Sequence, residues 1–422
     1  MAAKNILEFE ITIGRKFNDY WPIHVRINDN GMRRDLLDLN FTLEYEQLIQ
    51  KNVQNHEYGK FLGEALFNAA RLQGDNKEGL KLLRDSFKEA LGKSSTDCPL
   101  RILLSIDNAQ DEKLTTVEWQ RLCAPIDADG TWSPLALHQR VPFSMYIPTA
   151  ISTKFPLLRR EDLRALVLVA SPDDLPDKLP HFNVKNVVSA MRQSLGDIPH
   201  KFLVNNIDHD DCIGAPTLKN LCQQLTDAKP RYNLLHIVCH GTLTKDKDTT
   251  LYWADENNKQ SLVLGEELIK ELKNLPVPHF AFLCTCNSAA ARAEVGEAPL
   301  GGLAQRLVRE LGMPAVIAMT REVTIETASK LTDRFYPRLR ESGEVDIALK
   351  EATAGLGDHY DITVPVLFSR LGARPLFIGE DHFNPNLKLE DIQKGIEKLN
   401  NLFKEHSPLA LKEKFEEQKP LL

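Results

Sequence analysis

No stretch of the 422-residue chain approaches the roughly 20 consecutive apolar residues that a helix needs to span a bilayer. The first ten residues, Met-Ala-Ala-Lys-Asn-Ile-Leu-Glu-Phe-Glu, lack the apolar core of a secretion signal. A cytoplasmic protein with no membrane partner is therefore expected. No Walker A sequence and no dinucleotide fingerprint occurs, so no phosphate-cradling loop is visible and no cofactor is expected. Net positive charge is also missing. At -7 the chain has no general attraction for nucleic acid, and no direct nucleic-acid partner is expected. There is no internal repeat and no low-complexity tract. The seven cysteines are an odd number and include no CxxC pair. A disulfide framework is thereby disfavoured, and the question becomes which cysteine is reactive.

What is present is ordinary in bulk. Hydrophobic residues make up 42% and charged residues 26% of the chain, enough for a sizeable core. Its rhythm divides it. Residues 1–150 mix short strands (Leu7–Ile13, Ile23–Ile27, Leu100–Ile106) with helices predicted over Tyr45–Ala70 and Asn76–Leu91. Leu135–His138 and Phe143–Ile147 read as a further strand pair. Residues 151–383 alternate apolar strands with helices of ten or so residues. Strands are predicted over Ala165–Ala170, Lys201–Val204, Leu234–Cys239, Phe280–Leu283, Ala315–Met319 and Val364–Phe368. That alternation predicts an α/β fold, a mostly parallel sheet with helices on both faces, preceded by an α+β section. Residues 384–422 are Lys/Glu-rich, with an amphipathic helix predicted over Leu389–Phe403. This tail reads as a surface helix or a linker.

Two strand ends carry chemistry. Leu234-Leu-His-Ile-Val-Cys-His-Gly241 is a buried strand running into His-Gly, and His279-Phe-Ala-Phe-Leu-Cys-Thr-Cys-Asn-Ser288 is another ending in Cys286. In parallel sheets, reactive groups collect beyond the carboxyl ends of the strands. Neighbouring strands would bring His240 and Cys286 into one crevice, where an imidazole activates a thiol for attack on a carbonyl. The backbone N–H groups of Gly241 and Cys286 would then hold the oxyanion.

The His-to-Cys gap is near the about 50 residues noted for caspases. The segment resembles the CHAT domain, the caspase-like branch of clan CD peptidases related to separase. The matching motifs are Val238-Cys-His-Gly241, Leu283-Cys-Thr-Cys-Asn-Ser288, Gly301-Gly-Leu-Ala-Gln-Arg-Leu307, Pro314-Ala-Val-Ile-Ala-Met319, Arg334-Phe-Tyr-Pro-Arg-Leu339 and Val364-Pro-Val-Leu-Phe-Ser-Arg370. Leu166-Val-Leu-Val-Ala-Ser-Pro172 is similar to the family's first sheet strand, and Trp119-Gln-Arg-Leu122 to its Trp-Glu-x-Leu segment, with Gln120 where Glu is usual. Each motif alone is weak; their order and spacing together are specific, over about residues 95 to 380. The resemblance implies a caspase-like sheet, a pseudo-caspase-like N-terminal section, and cysteine-protease action on a protein substrate in a bacterial antiviral-defence or programmed-death system.

Each residue also has a plainer reading. Cys284 shares a strand face with Cys286 but lies deeper in the apolar run, which favours Cys286 as nucleophile. Cys239 points away from His240 and reads as core. His236 lies deeper on the face of His240 and reads as a buried, hydrogen-bonded histidine; His279 reads as the start of a strand at the opposite end. Asp173 and Asp174 follow the first strand of the series, either as an ordinary loop pair or as an acidic substrate-binding wall for Arg or Lys, with Asp210 and Asp211 a weaker version. Asn287 and Ser288 read as helix caps and Trp119 as a core anchor. Beside the endopeptidase stand two alternatives: a catalytically silent scaffold that binds a partner, and a zinc site built from His236, Cys239, His240, Cys284 and Cys286. The zinc reading is disfavoured because strand spacing does not converge these side chains as a helical turn does. An enzyme of this kind needs control, so an activating protein partner or associated effector is expected to act through Tyr45–Leu91 or Leu389–Phe403.

Overall fold

The computed structural model describes residues 5–51, 55–68, 70–71, 76–107, 112–126, 131–148, 155, 158–244, 248–284, 299–320, 323–356 and 361–378. The first strands are β1 (Leu7–Ile13), β2 (Trp21–Asp29), β3 (Met32–Phe41), β4 (Ala70–Arg71), β5 (Leu100–Ile106) and β6 (Phe143–Tyr146). In β1 the alternating Leu7, Phe9, Ile11 and Ile13 are buried. They pack beside buried residues of helices α1 (Tyr45–Gln50), α2 (Asn55–Phe67) and α3 (Asn76–Lys93), including Tyr58, Leu62, Leu83 and Phe87. The single helix expected over Tyr45–Ala70 is thus two, with residues 52–54 outside the described residues. The expected strand at Leu135–His138 is a 3-10 turn, Leu135–Leu137, whose Leu135 and Ala136 carbonyls accept from the buried Lys350 ammonium. β3 escaped the sequence pattern because it runs along the sheet margin, with its first four residues exposed.

The second series comprises β7 (Ala165–Val169), β8 (His200–Leu203), β9 (Leu234–Val238), β10 (His240–Leu243), β11 (Thr249–Ala254), β12 (Gln260–Leu264), β13 (Phe280–Cys284), β14 (Ala315–Met319) and β15 (Pro365–Ser369). Every residue of β7, β9, β13, β14 and β15 is buried. That is the signature of a sheet covered on both faces. Alternation assigns the faces. Leu235, Ile237, Ala281 and Leu283 share a core with α5 (Leu218–Asp227), α6 (Gly265–Leu272) and α7 (Pro299–Leu311). Leu234, Val238, Phe280, Phe282 and Cys284 share the other core with α4 (Val184–Leu195), α8 (Ile325–Ser342) and α9 (Val345–Ala354).

Among the described residues one twelve-stranded sheet joins both series, in the order β8-β7-β9-β13-β14-β15-β6-β5-β1-β2-β3-β4. β8, β7, β9, β13 and β14 are parallel, and β15 is antiparallel to β14. The observed class is therefore α/β with a mixed, mostly parallel sheet, extended by the N-terminal strands. The parallel pairing of β6 with β15 closes the seam between the two series. Residues 1–377 form one compact unit and residues 378–422 another. The helix expected over Leu389–Phe403 lies outside the described residues.

Candidate active site

Strand order reverses at β7: the chain moves outward to β8 and then returns to place β9 on the other side of β7. Such a switch point opens a crevice at the carboxyl ends of the two strands. β9 delivers His240 there. Its neighbour β13 runs parallel in the register Leu234↔Phe280 to Val238↔Cys284, so both strands finish level. The Cys239 N–H donates to the Cys284 carbonyl at 3.2 Å, carrying the ladder one step past the last strand pair.

His240 is 1% exposed. Its Nε2 lies 2.9 Å from the Pro180 carbonyl, and its ring centroid is 5.7 Å from that of Phe182. A carbonyl only accepts, so the proton sits on Nε2 and Nδ1 is the basic nitrogen of the neutral ring. Pro180 belongs to the loop that leaves β7. Three polar contacts fasten that loop to the β11–β12 turn. The Asp173 N–H donates to the Asn258 carbonyl at 2.9 Å, and the Asn258 amide donates to Asp173 Oδ1 at 2.8 Å. The Gln260 N–H donates to Asp174 Oδ1 at 2.7 Å. Within the loop, the Phe182 N–H reaches Ser171 Oγ at 3.3 Å. Asp173 and Asp174 thus sit beyond β7 as expected, with one carboxylate oxygen each engaged in holding the turn. Asp211 is occupied differently. Two 2.6 Å bonds from the Arg192 guanidinium hold its carboxyl well below the usual carboxylate range.

After His240 the chain builds a small antiparallel sheet, β10-β11-β12. The Thr244 N–H donates to the Asp248 carbonyl at 2.8 Å, making that pair hydrogen-bonded. Bonded and non-bonded pairs alternate along an antiparallel ladder. By that alternation Gly241, opposite Leu251, is a non-bonded position whose N–H turns away from β11 toward the outer edge of β10.

Below the crevice, His236 is fully buried, with Nδ1 2.7 Å from the Tyr336 hydroxyl and its ring 4.9 Å from Phe282. Burial lowers its pKa to about 3, so it stays neutral. Cys239 and Cys284 are both buried, on opposite faces of the sheet. The His279 N–H donates to the Asn233 carbonyl just before β9, at the amino ends of the strands, remote from His240. Cys286, Asn287 and Ser288 lie outside the described residues.

Sequence reasoning missed two members of this neighbourhood: the Pro180 carbonyl and the β11–β12 hairpin. Asp255-Glu-Asn-Asn258 between two apolar runs was the available hairpin signal, and Asn258 adopts φ 59° there. Gln120 comes from the N-terminal series, and its side-chain amide donates at 3.3 Å to the hydroxyl of Thr320, one residue past β14. Trp119 beside it is buried, with its indole N–H on the Leu114 carbonyl. Among the described residues, no helix is long and apolar enough to cross a membrane, and no three His, Cys, Asp or Glu side chains group as metal ligands.

The CHAT domain profile matches residues 143–408, well over half of the chain. The protein belongs to the CHAT-domain family. No curated protein matches it. Among solved structures, the separase–securin complex of Saccharomyces cerevisiae matches with 17% identity and a TM-score of 0.34, over 64% of this chain and 15% of that one. A second structure of that complex matches with 11% identity and a TM-score of 0.41, over 86% and 30%. The CHAT-domain chain thus spans less than a third of the length of either separase chain. The Arg-specific cysteine proteinase gingipain R (RgpB) of Porphyromonas gingivalis matches with 13% identity and a TM-score of 0.38, over 69% of this chain and 67% of that one.

Proposed function

We propose that this CHAT-domain protein is a regulated cysteine endopeptidase that cleaves a protein target. Cys286 is the nucleophile, His240 the general base, and the N–H groups of Gly241 and Cys286 the oxyanion donors. The observation that carries the reading is the level finish of β9 and β13 at Val238↔Cys284. His240 and Cys286 each follow two residues later. Two trans peptide links keep each Cα within about 7.6 Å of its strand end, and adjacent strands lie about 4.8 Å apart.

His240 Nδ1 takes the thiol proton as the Cys286 sulfur attacks the scissile carbonyl. Charge on the carbonyl oxygen is met by the outward N–H of Gly241. His240 then protonates the departing amine, and water, deprotonated by the same nitrogen, releases the acyl group from sulfur. The Pro180 carbonyl holds the ring orientation and stabilises the imidazolium formed when His240 takes a proton.

His240 is buried, and the loop over it is fastened at both Asp173 and Asp174. A base this closely enclosed suits an enzyme switched on by a protein partner. The resemblance to the family supports a defence or programmed-death setting for that activity.

The test is an unbiased peptide library incubated with wild type, Cys286→Ala, Cys284→Ala and His240→Ala, with cuts read by mass spectrometry. Cleavage by wild type and Cys284→Ala, and none by the other two, is expected. Equal cleavage by Cys286→Ala overturns the assignment. Silence of the wild type leaves either a dormant enzyme awaiting its activator or a silent scaffold, which identification of the binding partner and a repeat in its presence would separate.

A further inference from the structure

We infer that Leu262 and Leu264 form an apolar shelf, continuous with His240, that receives a large apolar side chain of the polypeptide substrate within about three residues of the cut bond. The inference rests on the peptidase reading for its position relative to the cut, and on the small sheet for its chemistry.

Directly opposed residues in a sheet share a face. The register sets out two rows across β10-β11-β12: His240↔Tyr252↔Leu262 and Thr242↔Thr250↔Leu264. The reverse face carries Leu251, Trp253 and Val263, all buried in the core shared with α6 and α7. The face of His240 is therefore the one turned away from that core. A sheet packed on one side normally turns polar residues outward. Here Leu262 is 54% and Leu264 42% exposed.

A single exposed leucine needs no explanation. Two at i and i+2, joined through half-buried Tyr252 to the candidate base, form a strip with no charged residue in either row. That strip fits an aliphatic or aromatic side chain and offers nothing to Arg, Lys, Asp or Glu. Strands lie about 4.8 Å apart, so Leu262 is about 10 Å from His240 across β11. An extended peptide covers that distance in about three residues. The bonds from Asp173 and Asp174 to Asn258 and Gln260 fix the β11–β12 turn to the loop whose Pro180 carbonyl holds His240. One piece of structure thus positions both the base and the shelf.

The test uses full-length Cys286→Ala, immobilised and exposed to a displayed library of random peptides. Comparison proteins also carry Leu262→Asp with Leu264→Asp, or Leu262→Ser with Leu264→Ser; matching thermal melts verify folding. Enrichment of Leu, Phe or Met at one peptide position is expected. The Ser pair should reduce it at least about tenfold, the scale of a lost apolar pocket contact. The Asp pair should replace it with Lys or Arg. No apolar enrichment, or enrichment that survives both pairs, overturns the shelf. Wild type should cut the enriched peptides within about three residues of the selected position. Apolar selection through Leu262 and Leu264 without any cut would keep the binding surface while rejecting both the peptidase reading and the shelf's place beside a cut bond.

Discussion

His236 and His240 stand four residues apart on one run of chain and do opposite things. His240 meets a backbone carbonyl at the crevice, whereas His236 is sealed between Phe282 and Tyr336 and kept neutral by burial. The seal has a pH signature. An unfolded imidazole binds its proton below about pH 6.5, whereas folded His236 waits until about 3. The unfolded state therefore holds the extra proton between those values. His236's contribution to stability is fully present above pH 6.5 and declines as pH falls toward 3. At about 1.4 kcal/mol per pH unit, lowering the pH from 7.5 to 5 removes about 2 kcal/mol through this group. His236→Phe keeps the ring volume and abolishes the titration. Its urea-unfolding free energy should fall by about 2 kcal/mol less than the wild type's over that interval; equal falls would show that His236 is not sealed. The plain reading of His236, like those of Cys239 and Cys284, was legible because strand alternation and depth in an apolar run report burial directly. A carbonyl partner such as Pro180 leaves no trace in side-chain chemistry.

At the scale of elements, Asp173 and Asp174 separate a structural role from a substrate-binding one. Gln260 N–H bonds to Asp174 Oδ1, and an asparagine amide oxygen can accept that bond equally well. If Asp174 serves to fasten the β11–β12 turn, Asp174→Asn should retain the wild-type melting temperature and cleavage profile, while Asp174→Ala should lose about 1 kcal/mol. A loss of preference for Arg or Lys before the cut in Asp174→Asn would instead make the carboxylate a pocket acid. The central elements were legible because β7, β13 and β14 are continuous apolar runs and β9 is broken only by His236. β3 was not, since it is largely exposed, and β11–β12 was not, because its apolar residues face both a helix layer and the outside. The candidate dyad was readable from strand ends alone. The hairpin that frames it required pairing partners far apart in sequence, from Asp173 to Asn258.

Across the whole molecule, the two series of strands meet at a short contact, Phe368↔Met145 and Ser369↔Tyr146. Buried charge reinforces it. Arg101 on β5 is 1% exposed; its Nε donates to Asp346 Oδ2 at 2.7 Å and its Nη2 to Glu344, both at the start of α9. A few residues along that helix, the Lys350 ammonium reaches the carbonyls of Leu135 and Ala136. α9 also packs on α8, the helix that carries Tyr336 to His236. The seam therefore leads, through two helices, to the floor of the crevice. Removing one partner of a buried ion pair leaves the others charged and unmatched, at a cost of about 3–5 kcal/mol. Arg101→Ala should show that loss in urea unfolding. If both series form one cooperative unit, the loss should come as a single shifted transition seen alike by tryptophan fluorescence and by hydrogen exchange of β9 and β13. An early transition confined to residues 1–142, with β9 and β13 still protected at the wild-type midpoint, would instead make the N-terminal series an independently melting domain and remove the seam as a path from a bound activator to His240.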